Sequence, residues 1–89
     1  MNMKCTNVDV IEVKVLNDYN LHLIFDDGIS GDLDISKLVS FKGIFEPLKD
    51  RKFFSQVKVN HDIGTICWDN GADLSPTFLH GSILAKKTS

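Results

Sequence analysis

Eighty-nine residues with 43% hydrophobic and 25% charged side chains describe one small soluble-type domain rather than a disordered or multidomain chain. A domain this size buries only about 60–65% of its unfolded surface, which leaves little room for an elaborate site. No unbroken apolar run exceeds three residues, as in Leu23-Ile24-Phe25, and Met1 to Val10 lacks a signal-peptide core. A membrane span is therefore excluded, and a cytoplasmic location is expected. Cys5 and Cys67 are expected to stay reduced, because a chain without an export signal meets reducing conditions.

In chain order, Val8 to Leu16 reads as a strand with Ile11, Val13 and Val15 on one face and Glu12 and Lys14 on the other. Val8 and Val10 break the alternation, which marks a bulge, a covered edge or a second apolar contact. Asn17-Asp18 supplies a turn, and Tyr19 to Phe25 forms a second strand with Leu21, Leu23 and Phe25 inward. Asp26-Asp27-Gly28 closes a hairpin. A short third strand follows, with Ile29, Gly31 and Leu33 on one face. Asp34 then caps a helix to about Phe41, stapled by Leu33 and Leu38, with Gly43 as its C′ residue.

Ile44 to Gln56 is irregular but apolar, and Pro47 disfavours a continuous helix through Glu46, so one or two helical turns are expected to lay aromatics over the sheet. Val57 to Asn60 and Thr65 to Trp68 form a second hairpin. The stretch from Ile66 to Leu79 is the most legible, since a strand, a turn at Asn70-Gly71 and a helix start at Ser75-Pro76 follow within fourteen residues. Leu74 and Leu79 staple that last helix, which is expected to reach about Ala85 before frayed ends at 86–89, matched by a frayed start at 1–6. Trp68, the single tryptophan, is expected beneath it. Trp68, Asn70, Gly71, Asp73, Leu74, Ser75 and Leu79 are thus structural residues.

Two parts of the chain echo each other. Val13-Lys14-Val15, Phe25-Asp26-Asp27-Gly28 and Asp32-Leu33-Asp34 return as Val57-Lys58-Val59, Trp68-Asp69-Asn70-Gly71 and Asp73-Leu74-Ser75. The two cap-and-staple positions coincide, as expected of one hairpin-then-helix unit used twice. Any two hairpins rich in valine, aspartate and glycine would also look alike.

Net charge is −2 but unevenly spread: residues 1–35 hold seven acids and two bases, residues 36–58 two acids and six bases. Lys37, Lys42, Lys49, Arg51, Lys52 and Lys58 carry the central excess, interleaved with Phe41, Phe45, Phe53 and Phe54. Lys37, Lys42, Phe45, Lys49, Arg51 and Lys52 are the candidate docking residues for an acidic protein partner; a merely solvated face of lysines is the plain alternative. No catalytic residue emerges, because nowhere do a nucleophile, a base and an oxyanion donor come together. The histidines at 22, 61 and 80 never take zinc-ligand spacing, and no phosphate-loop motif occurs, so no metal or cofactor is assigned. The pairs Asp32/Asp34 and Asp69/Asp73 suit Ca²⁺ or Mg²⁺ as an alternative, but turn and cap duty accounts for them. A single arginine argues against direct base readout, leaving lysine contacts to phosphate as the weaker route to nucleic acid.

At Trp68 to Pro76, joined to Phe25-Asp26-Asp27-Gly28 and Phe45-Glu46-Pro47-Leu48-Lys49-Asp50, the chain resembles a bacterial family known as domain of unknown function 2442. The family has Trp-Pro-Asn-Gly where this chain has Asp69, although the Asn-Gly pair is kept. The resemblance implies a small α+β domain, sometimes fused to a helix-turn-helix and often encoded beside another small family in toxin–antitoxin-like pairs. It brings no catalytic residues. The expected fold is a two-layer α+β domain, with a mostly antiparallel sheet of four to five strands and short helices on one face. The expected function is a non-catalytic interaction module, an antitoxin-like partner of a small toxin. The alternatives are a metal-dependent or hydrolytic enzyme using the turn aspartates, and a DNA-binding accessory of transcription.

Overall fold

The computed structural model describes residues 8–88. Five strands and several short helices follow in the order β1 (Val10–Val15), β2 (Asn20–Phe25), β3 (Ser30–Asp34), α1 (Ile35–Leu38), a 3₁₀ segment (Gly43–Lys49), α2 (Arg51–Phe54), β4 (Lys58–Asn60), β5 (Thr65–Cys67) and α3 (Pro76–Thr88). The architecture is α+β. The strands do not form one sheet, however: β1, β2 and β3 make a three-stranded antiparallel sheet and β4 and β5 a separate two-stranded one. Among the described residues, the one backbone bond that joins them runs from Val10 N–H to the Gly64 carbonyl, 2.9 Å, too little to extend a ladder. Gly64 is needed there, since its φ is +72° and a Cβ would clash with the Asp9 carboxylate.

β1 departs from the expected alternation for a visible reason. Val10 faces Phe25 and Glu12 faces Ile24, so Ile11 is the extra residue of a bulge. Ile11 consequently stands 48% exposed, while Val10 takes the core position. Leu21, Leu23 and Phe25 of β2 are buried as expected, as is Leu33 of β3. Gly31 makes room for α3, because a Cβ there would lie 2.8 Å from Ile83 Cγ2.

α1 is one turn, shorter than expected. Asp34 caps it by accepting from Ser36 N–H at 3.0 Å, but the β-branched Val39 is extended at φ −133° and the chain leaves the helix there. Gly43, expected as its C′ residue, instead opens the 3₁₀ segment with φ +58°. α3 runs to Thr88, past the expected end near Ala85. Its start is as expected: Ser75 Oγ accepts from Phe78 N–H at 3.3 Å, and Leu74 and Leu79 are both buried.

Every helix sends apolar side chains into the core that β2 faces. Ile35, Leu48, Phe54, Leu79 and Ile83 join Val10, Leu21, Leu23, Phe25, Ile66 and Trp68 in one buried cluster. Cys67 is also buried, and Cys5 lies outside the described residues. No helix among the described residues is long and apolar enough to cross a membrane.

Candidate partner-binding face

The central basic segment is pinned at two points, Ile44 and Phe54, by the turn that follows β5. Trp68 Nε1–H donates to the Phe54 carbonyl at 3.0 Å in the buried core, and Asn70 Nδ2–H donates to the Ile44 carbonyl at 2.8 Å. Asn70 can do this because its own Oδ1 accepts from Ala72 N–H at 3.1 Å, which holds the amide in one orientation. Gly71 has φ +91°, as the turn requires.

Tyr19 holds the middle of the segment. Its hydroxyl donates to the Lys49 carbonyl at 2.5 Å, and its ring meets Phe41 and Phe54 edge-on at 5.1 and 5.2 Å. Arg51 lies over the same ring at 5.8 Å and 3.8 Å from Asp18. Asp18 reaches it from the β1–β2 turn, where φ is +55°. Tyr19 gave no sequence signal, because these partners lie 22 to 35 residues away in the chain.

This framework sorts the candidates. Lys42, Lys49 and Lys52 are exposed with no ion pair among the described residues, and Ile44, two residues after Lys42, is 50% exposed. Ile44 is an addition that sequence reasoning missed. Phe45 is half-buried against the core, as are Phe41 and Phe53. Phe54, interleaved with these charges but not among the candidates, is fully buried and not available to a partner: it fills the space between Tyr19 and Trp68. Lys58 is likewise spent, paired with Asp69 at 2.6 Å, which holds its ammonium pKa above the usual lysine range. Lys37 sits apart on α1, in a groove with Asn20, Leu33 and Lys86.

The aspartates have structural partners. Asp34 caps α1, Asp69 pairs with Lys58, and Asp32 lies 2.6 Å from His22 Nδ1 across the β2–β3 ladder. Asp27 accepts from Ile29 N–H at 3.0 Å and lies 2.8 Å from His80 Nε2 of α3. The turn amide, and next the His80 contact, hold its carboxyl below the usual range. Asp73 pairs its backbone with Cys67 in an isolated bridge. Among the described residues no group of three or more histidine, cysteine or carboxylate side chains could hold a metal ion.

No curated protein and no solved structure matches the chain. A family model described as protein of unknown function (DUF2442) matches residues 10–83, from the first residue of β1 to the buried Ile83 of α3. That range takes in both sheets, the pinned central segment and the Trp68 to Ser75 stretch, and the chain belongs to this family.

Proposed function

We propose that the domain is a non-catalytic protein-interaction module whose partner presents an acidic surface to Lys42, Lys49 and Lys52. One observation supports it best: these three exposed ammonium groups have no ion pair among the described residues, yet the backbone beneath them is tied down by Tyr19, Trp68 and Asn70. A basic segment on a tied-down backbone, with an exposed Ile44 in the same segment, suits docking, since charge steers association and apolar contact holds it. The family likeness adds an antitoxin-like role toward a small toxin as the partner to look for. The test is affinity capture by the native protein from its own cell extract, repeated with Lys42→Glu, Lys49→Glu and Lys52→Glu combined. An acidic protein retained by the parent and lost by the folded variant is the expected result. Capture of nucleic acid with a steep salt dependence would replace this reading with a transcriptional one.

A further inference from the structure

Asn70-Gly71 is the one asparagine–glycine pair in the sequence. Such a pair is prone to deamidate, because the backbone nitrogen after the asparagine can attack the side-chain amide carbon and glycine has no side chain to crowd the approach. In this turn every group that would react is held. Gly71 N–H donates to the Trp68 carbonyl at 3.0 Å, so its nitrogen is engaged as a donor. Asn70 Oδ1 accepts from Ala72 N–H at 3.1 Å and Nδ2–H donates to the Ile44 carbonyl at 2.8 Å, so the amide is fixed through both its oxygen and its nitrogen. Both residues nevertheless lie on the surface, where water and base reach them once the turn opens.

The first hairpin shows what an acid does at the same place. Asp27 stands before Gly28 as Asn70 stands before Gly71, with glycine φ of +89° and +91°, and it accepts from Ile29 N–H at 3.0 Å as Asn70 accepts from Ala72. A carboxylate is therefore compatible with this turn. The other end of the side chain differs. Asp27 Oδ2 lies 2.8 Å from the ring nitrogen His80 Nε2, whereas Asn70 presents an N–H to a carbonyl oxygen. A carboxylate at residue 70 would set two acceptors against each other there, with no proton between them.

We propose that Asn70 is a self-modification site, latched while the turn is closed and converted when it opens, and that conversion unpins the central segment for good. The Gly71 nitrogen, released from Trp68 and deprotonated by solvent hydroxide, attacks Asn70 Cγ. The new C–N bond closes a succinimide ring, the Cγ–Nδ2 bond breaks, and Nδ2 takes a proton from water and leaves as ammonia. Water then opens the ring at either carbonyl, giving aspartate or isoaspartate and adding one negative charge. Neither product carries a donor for the Ile44 carbonyl. The aspartate keeps the turn and repels that carbonyl; the isoaspartate lengthens the backbone within the turn itself. The site rests on the turn alone and stands whether or not the central lysines dock a partner.

The test follows deamidation of the native protein beside a blocked peptide of residues 68–73, at mildly alkaline pH, by peptide mapping. Asn70 should convert at least about tenfold more slowly in the folded protein than in the peptide, because its hydrogen bonds must open first. In urea above the unfolding midpoint the protein should match the peptide in the same urea, and Asn70 should convert ahead of every other asparagine. Equal rates in folded protein and peptide remove the latch. No preference for Asn70 in the unfolded chain removes the site. The consequence is read in Asn70→Asp, which should fold. Its Phe45 amide, which donates to the Lys42 carbonyl at 3.0 Å beside the pinned Ile44, should exchange with deuterium about fivefold faster than in the parent. Parental exchange at Phe45, or loss of the fold outright, overturns the unpinning.

Discussion

Trp68 shows how one residue can join separate parts of a small fold. Its ring packs on Phe54 with centroids 5.9 Å apart, and its indole N–H supplies the buried Phe54 carbonyl with a donor. Trp68→Ala should cost about 3–5 kcal/mol in urea unfolding, much of the stability of so small a domain. Trp68→Phe should keep part of the packing and lose about 0.5–1.5 kcal/mol with the indole hydrogen bond, since the Phe54 carbonyl still accepts from Val57 N–H at 3.2 Å. A parental urea midpoint for Trp68→Ala would remove Trp68 from the core. Asp27 makes a smaller, pH-dependent contribution. Its folded-state pKa is depressed, chiefly by the Ile29 amide and then by His80, so its contribution is complete above the unfolded value of about 3.9. That contribution is lost as pH falls through the folded value. Thermal melts of Asp27→Asn and parent should therefore differ at pH 6 to 7 and converge in strong acid.

At the scale of elements, the echo in the sequence corresponds to repeated geometry. Gly28 N–H donates to the Phe25 carbonyl and Gly71 N–H to the Trp68 carbonyl, both at 3.0 Å. Phe25 N–H donates to Ile29 and Trp68 N–H to Ala72, at 2.8 and 2.9 Å, while Asp27 and Asn70 each accept the amide two residues on. The glycines have φ of +89° and +91°. Even the third strand has its counterpart, shrunk to the single Cys67–Asp73 bridge. The two units diverge in their helices, one turn in α1 against thirteen residues in α3. Within α3, Gly81 is exposed with open space where a Cβ would go, so Gly81→Ala should stabilise by about 0.5–1 kcal/mol. Gly31→Ala should do the opposite, because β3 and Ile83 leave no room. Ser75→Ala should cost about 1 kcal/mol through the lost cap. Chemical denaturation of the three variants checks the signs together.

For the whole molecule, the central segment should divide into charges that steer and groups that hold. With a captured partner, Lys49→Glu with Lys52→Glu should slow association and flatten its salt dependence, whereas Arg51→Ala should speed dissociation, because Arg51 is positioned by Tyr19 and Asp18. Surface plasmon resonance at two salt concentrations separates the rates. If neither rate changes, the lysines are only solvated. Since Asp27, Asp32, Asp34 and Asp69 already have structural partners, Mg²⁺, Ca²⁺ or Zn²⁺ should leave the melting temperature unchanged. A site filled at a hundred times its dissociation constant would add about 2.7 kcal/mol and be plain in the melt.

What the sequence determined by itself is local. The inward face of β2, the caps at Asp34 and Ser75, the Leu74–Leu79 staple and the two Gly-containing turns all follow from preferences that act within about five residues. The family was legible for a related reason, since most of the residues that carried the resemblance, at Phe25 to Gly28 and Trp68 to Pro76, lie in those same turns and caps. Tertiary structure decided the rest. The Ile11 bulge depends on where the second hairpin meets β1, and the early end of α1 goes with Val39 turning extended and Phe41 reaching Tyr19. Phe54 was drawn inside by Tyr19 and Trp68, which flank β2 and β5, and Lys86 of α3 reaches the Asp32 carbonyl of β3. Each of these joins residues far apart in the chain, where side-chain spacing carries no information and only the shared core fixes who meets whom.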